Sequence, residues 1–223
     1  MNKNKIYSLV ASGVVKRFSE SEKESIRSKL IAVGRELFAE RGLQKTGVAE
    51  ITSRAGIAQG TFYLFFESKE ALFFEILQRE EESIRTSLFD EHLSGDGRVT
   101  REGFERFLTD SLFSIRRHPL IRHLYDERTM ESLFRKLPPE TLAAHASKDE
   151  ETLLPFIDRG RREGWLVPAE PSAIVNLIRS AVLLSFQRER IGEPSYDATL
   201  RLLAHCIACG LILEEGDNDA SSR

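Results

Sequence analysis

Between Thr46 and Phe65 the chain reads TGVAEITSRAGIAQGTFYLF, two short helical patterns separated by a glycine. Ile51 and Ala55 stand four apart on one face of the first, and Phe62 and Phe66 repeat that spacing on the second. Gly56 between them supplies the backbone freedom for a tight turn, so the two apolar stripes can face each other. The second pattern then presents Gln59, Gly60, Thr61 and Tyr63 outward, groups suited to phosphate oxygens and base edges. From Ile51 to Phe66 the only basic residue is Arg54.

The flanks complete a small helical unit. Ser19 and Ser21 are each followed three residues later by a glutamate, Glu22 or Glu24, the capping-box spacing that starts a helix. Ile26, Leu30, Val33, Leu37 and Phe38 form its apolar stripe, and Gly42 marks its end. Ser68 caps a further amphipathic helix carrying Leu72, Phe73, Ile76, Leu77, Ile84 and Leu88.

The run GLQKTGVAEITSRAGIAQGTFYLFFESKEAL resembles the DNA-binding domain of TetR/AcrR-type transcriptional repressors. The resemblance spans Ser21 to Ile84 and rests on features in register: Gly42, Thr46, Ile51, Ala55-Gly56-Ile57, Gly60, Phe62-Tyr63, Phe66, and Lys69-Glu70-x-Leu72. It implies an all-α fold, with an N-terminal three-helix helix-turn-helix domain and a larger C-terminal helical domain for ligand binding and dimerisation. It further implies that Thr46, with Gly47 beside it, caps the first turn helix and faces a phosphate. By the same resemblance Gln59, Thr61 and Leu64 reach base edges, Gly60 lets the backbone approach, Tyr63 points its hydroxyl at phosphate, and Lys69 anchors the next helix to the DNA backbone. Two positions depart from the family pattern. Ala58 stands where a serine cap is common, and Phe65 replaces a polar residue, so Phe65 either packs or touches sugar.

Charge divides along the same line. Residues 1–69 hold twelve Lys or Arg against seven Asp or Glu, a net of +5, whereas the whole chain is −3, leaving −8 for residues 70–223. Only the N-terminal third suits nucleic acid. Residues 1–20 read as a basic arm or an extra helix, with Lys3, Lys5, Lys16 and Arg17 as candidate DNA contacts, and residues 215–223 as a disordered tail. No run of eighteen apolar residues predicts a membrane span, and two cysteines without a secretion signal indicate a reducing cytoplasm.

Residues 85–214 read as the regulatory and dimerisation domain. Ser94-Gly95-Asp96-Gly97 breaks the chain, after which Phe104, Phe107, Leu108, Leu112 and Ile115 form a stripe that His118-Pro119 stops. Leu120 to Leu137 reads as one helix, and Glu140 to about Gly164 as another with a kink at Pro155. Ser172–Arg190 and Ser195–Leu213 are apolar nearly all round, which predicts burial on two sides and a homodimer through residues 172–213. A core within one chain explains the same pattern. Dimerisation agrees with a palindromic double-stranded operator, because one small reading module makes few contacts.

Phe104, Phe107, Leu108, Phe113, Tyr125, Met130, Phe134, Phe156 and Trp165 are candidate lining for a small-molecule pocket, with Arg116, His123 and Asn176 as polar candidates. Each also fits as ordinary core filling. Cys206 and Cys209 form a C-x-x-C within an apolar helix and read as a buried pair of small side chains. His92, His118, His123 and His145 have no metal spacing, no cofactor motif is present, and there is no nucleophile elbow or phosphate-cradling loop, so catalysis has no support. The expected function is a repressor released from its operator by an apolar or amphipathic ligand; the alternative is a DNA-binding protein of the same fold controlled by a protein partner.

Overall fold

Of the two capping-box spacings the chain uses the first: Ser19 Oγ accepts from the Glu22 N–H at 3.2 Å, and the Glu22 carboxylate accepts from the Ser19 N–H at 2.9 Å. This starts α1 (Glu20–Lys45) in the structure, a computed structural model that describes residues 18–95 and 97–214, apart from the side chains of residues 146 and 149. The expected basic arm before residue 18 and the expected tail after 214 lie outside the described residues. Leu30, Leu37 and Phe38 bury the inner face of α1 completely. At Gly42 the backbone leaves helical geometry, with φ 74° and ψ 174°.

The turn helices follow as α2 (Val48–Ala55) and α3 (Gln59–Phe62), joined by Gly56 in the left-handed conformation at φ 71°. Ile51, Phe62 and Phe66 close onto Phe38 and Phe73 in one apolar cluster. The next helix, α4 (Lys69–His92), is capped by Ser68, whose Oγ accepts from the Ala71 N–H at 3.1 Å. Its first half faces that cluster, whereas Leu88 belongs to a second cluster and Ile84 touches both. One rigid helix therefore spans the two parts of the molecule.

The C-terminal part comprises α5 (Arg101–Arg117), α6 (Pro119–Leu124), α7 (Glu127–Lys136), α8 (Pro139–Glu163), α9 (Pro171–Leu184), α10 (Arg188–Ile191) and α11 (Tyr196–Leu211). Among the described residues there is no strand, only an isolated antiparallel bridge between Leu166 and Ile212. Phe104, Phe156 and Trp165 form the centre of the second cluster, with ring centroids 5.6 Å and 5.1 Å apart in sequence. The α8 helix continues through Pro155 and ends at Gly164, in the left-handed conformation.

Two expected helices are divided. The segment from Leu120 to Leu137 breaks at Asp126, whose carboxylate accepts from the Thr129 N–H at 3.2 Å and so begins a new helix instead of extending the old one. The segment from Ser172 to Arg190 stops at Leu184. There Ser185 Oγ donates back to the Val182 carbonyl at 2.7 Å, and the Ser185 carbonyl accepts from the buried Tyr196 hydroxyl.

The helices α6 and α7 do not stay with the C-terminal cluster. Leu120, Ile121, Leu133 and Leu137 pack into the N-terminal one, so the core of residues 21–84 is closed by side chains from beyond that range. His123 lies against Gly42, where an added Cβ would stand 3.1 Å from its Nδ1. Gln44 Nε2 donates to the Arg128 carbonyl at 3.0 Å, and Ser132 Oγ donates to the buried Glu70 carboxylate at 3.0 Å. Gly42→Ala is expected to cost about 1–3 kcal/mol, because a side chain at this positive φ is strained and its Cβ would crowd the His123 ring; a denaturant melt unchanged from the parent would contradict this.

Candidate nucleic-acid interface and ligand cavity

The turn segment presents an outward face. Gln59 and Gly60 are exposed, Tyr63 and Leu64 are 37% and 46% exposed, and Thr61 is half-buried. A Cβ added at Gly60 or Gly47 would meet nothing within 4 Å, so both backbones are open to an approaching molecule. Ala58 leaves α3 without a side-chain cap, as its chemistry dictates. Phe65 is partly buried against the N-terminal cluster and packs. Tyr63 meets Phe62 edge-on at 5.3 Å, which steadies its ring while the side chain stays on the surface.

Two residues expected at phosphates have their polar atoms turned inward. Thr46 is 1% exposed and its hydroxyl donates inward to the Gly42 carbonyl at 2.8 Å; Gly47, not Thr46, is the N-cap of α2. Lys69 Nζ donates to the carbonyls of Leu43 at 2.7 Å and Thr46 at 2.9 Å, so its charge is engaged by the end of α1. The reason is local. Once Gly42 turns the chain out of the helix, the last carbonyls of α1 need donors, and a threonine hydroxyl and an ammonium supply them. Burial lowers the Lys69 pKa, opposed by the neighbouring Glu70 carboxylate.

Between α6–α7 and the helices α4, α5, α8 and α9 lies a cavity of about 680 Å³. Of the expected lining, Phe107, Tyr125, Met130 and Phe134 face it. Phe104, Leu108, Phe156 and Trp165 do not; they are buried in the C-terminal cluster, where Phe104 of α5 stacks on Phe156 of α8 and Trp165, just past the end of α8, packs on Phe156. Phe113 lies among the guanidinium groups of Arg116, Arg117 and Arg201, at 5.0, 5.6 and 4.8 Å. Asn176 is exposed and accepts from Arg179 at 3.0 Å. Arg116 pairs with Asp197 at 2.8 Å instead of lining the cavity.

Sequence reasoning missed the polar part of the wall. Glu81, Arg85 and His145 all line the cavity. His145 Nε2 is 3.1 Å from Glu81 Oε2, its ring edge-on to Phe74 at 5.1 Å, and Arg85 reaches Thr152 Oγ1 at 3.3 Å. The spacing of Glu81 and Arg85, four apart along α4, was a usable signal: it places both on one helix face. His145 had none, since its position depends on how α8 crosses α4.

The Lys69 geometry carries a consequence for stability. Lys69→Met strands two buried carbonyls at the end of α1 and is expected to lower unfolding free energy by about 2 kcal/mol. Thermal melts of the purified variant check this, and a melt identical to the parent would show the contact to be idle.

The sequence model described as bacterial regulatory proteins, tetR family, matches residues 30–76, which run from α1 through the turn helices into α4. Similar curated proteins include the HTH-type transcriptional repressor KstR2 of Rhodococcus jostii, 45% identical over 58 residues, covering 26% of this chain and 28% of that one. The HTH-type transcriptional regulator AcrR of Shigella flexneri is 32% identical over 68 residues, covering 30% and 32%. The chain thus spans less than half the length of these curated relatives. A solved TetR-family transcriptional regulator from Pectobacterium atrosepticum superposes with TM-score 0.65 at 21% identity, over 88% of this chain and 99% of that one. The regulator FadR of Bacillus subtilis, solved in complex with stearoyl-CoA, gives TM-score 0.55 at 13% identity over 82% and 98%. At these identities the structural likeness shows the fold. Residues 30–76 thus match the tetR family of bacterial regulatory proteins, and the chain as a whole shares the all-helical fold of the solved TetR-family regulator from Pectobacterium atrosepticum.

Proposed function

We propose that this protein is a dimeric DNA-binding transcriptional regulator, a repressor released from a palindromic operator by an apolar or amphipathic small molecule. The observation that carries the reading is the double role of α6 and α7. Ile121, Leu124, Tyr125, Met130 and Leu133 wall the cavity, while Leu120, Ile121, Leu133 and Leu137 pack into the core behind the turn helices.

In this mechanism Gln59, Gly60, Thr61, Tyr63 and Leu64 meet the major groove and its phosphates. Gly47 and the first N–H groups of α2, which carry no side-chain cap, meet a phosphate from the neighbouring strand. Thr46 and Lys69 hold that surface from behind. A ligand seated against Tyr125 and Met130 displaces α6–α7, and the contacts of His123 with Gly42, of Gln44 with the Arg128 carbonyl, and of Ser132 with Glu70 carry the shift to α1 and α4. Glu80 on α4 adds a second link, taking Arg35 of α1 at 2.6 Å and His118, just before α6, at 3.1 Å. Release requires that the ligand bind the displaced arrangement more tightly, since equal affinity shifts nothing.

Dimerisation is supported by apolar side chains left on the surface of α9 and α11. Leu177, Leu183 and Leu184 are 41–47% exposed and Leu202 is 62% exposed. A second copy covering them sets two turn segments about 34 Å apart, one helical turn of DNA. The cavity favours a small molecule over a protein partner as effector. FadR, the relative solved with stearoyl-CoA, binds an amphiphile, which supports a ligand of that class here.

Selection of fragments from genomic DNA by the purified chain, followed by release screening against amphipathic molecules, tests the whole reading; failure to enrich any sequence would remove it. Tyr63→Ala is expected to weaken duplex binding by about tenfold with an unchanged melt, and equal affinity would exclude Tyr63 from the interface. Leu202→Asp is expected to yield monomers in sedimentation velocity and to lose operator binding, and a stable dimer would place the interface elsewhere. Met130→Trp narrows the cavity beside α7 and is expected to leave DNA binding intact while weakening release; release at the parent's ligand concentration would place the ligand away from Met130.

A further inference from the structure

The C-x-x-C of α11 is not buried as the apolar pattern predicts: Cys206 and Cys209 are both free and exposed. Leu202, Cys206 and Cys209 fall at i, i+4 and i+7, one stripe along the outer face of the helix. Cys209 Sγ is 3.5 Å from His205 Nε2, and His205 Nδ1 is 2.8 Å from Glu105 Oε2 on α5. A carboxylate accepts only, so Nδ1–H donates to Glu105, and in the neutral imidazole the Nε2 lone pair then turns toward the thiol. Cys206, one turn earlier, has no such partner among the described residues.

We propose that Cys209 is a covalent modification site for soft electrophiles, with His205 as the base that takes its proton and Glu105 as the residue that positions the imidazole. The thiolate is the reacting form of cysteine, and a base within hydrogen-bond reach generates it during attack. With an α,β-unsaturated carbonyl the sulfur pair bonds the β-carbon and the π pair moves to the α-carbon as an enolate. The thiol proton passes to His205 Nε2 and from there to the α-carbon. The product is a thioether with His205 neutral again, and no oxidant or further reactant enters.

The consequence rests on the dimer proposed above. Cys209 shares its stripe with Leu202 and lies on the side of α11 where His205 meets Glu105 of α5, exposed in the single chain. An adduct there adds bulk to a face that a second copy must cover. Modification therefore opposes pairing and lowers operator affinity without using the cavity.

N-ethylmaleimide with the full chain tests both statements, read by peptide mass spectrometry over time and by sedimentation velocity. Cys209 is expected to react at least about tenfold faster than Cys206, and His205→Ala and Glu105→Gln to slow Cys209 alone. Equal rates at the two thiols, or a Cys209 rate indifferent to His205→Ala, would overturn the site. The treated chain is expected to shift toward monomer, with Cys209→Ser resistant; an intact dimer carrying the Cys209 adduct would overturn the consequence. A chain that is monomeric before treatment overturns the dimer reading, and the relative thiol rates still decide the site.

Discussion

The contact on which the rest of this structure depends is the seating of α6 and α7 against the end of α1. Gly42 leaves the helix with a positive φ, which frees the last carbonyls of α1 and opens space for His123. Thr46 and Lys69 then satisfy those carbonyls from one side, while α6 and α7 close the apolar core from the other. Unsatisfied carbonyls at a buried helix end would cost more than the turn gains, so the three features form one unit. The turn helices inherit their orientation from it.

That arrangement places the same few residues between the cavity and the N-terminal core. Side chains of α6 and α7 reach the cavity on one face and the N-terminal apolar core on the other. The long α4 runs beneath both and joins the two apolar clusters through Ile84. Dense packing passes a displacement between discrete arrangements instead of absorbing it. Polar contacts at Glu80 and Glu70 also tie α4 to Arg35 of α1, to His118 before α6 and to Ser132 of α7.

The N-terminal elements were legible in the residues because their signals are local. A capping box at Ser19, a glycine turn at Gly56 and the spacing of Ile51, Phe62 and Phe66 each concern residues a few positions apart. Thr46 and Lys69 show where such reading stops. Both lie where the family resemblance places phosphate contacts, yet their polar atoms are turned inward by carbonyls that become available only when α1 ends as it does. The cavity was half legible: Tyr125 and Met130 face it, but Phe104 and Trp165 are core, since periodicity shows that a face is buried and not what it faces.

By itself the sequence determined the all-helical class, the turn segment from α2 to α3, the charge division between the two parts, and the excess apolar surface of α9 and α11, because these follow from spacing and side-chain chemistry along the chain. Only the tertiary structure decided that α6 and α7 close the N-terminal apolar core, that Glu81, Arg85 and His145 share a cavity wall, and that Cys209 stands beside a carboxylate-held imidazole. Those groups lie on different helices or on faces whose partners are set by crossing geometry. Their meeting is a property of packing in three dimensions, to which no spacing along one helix gives access.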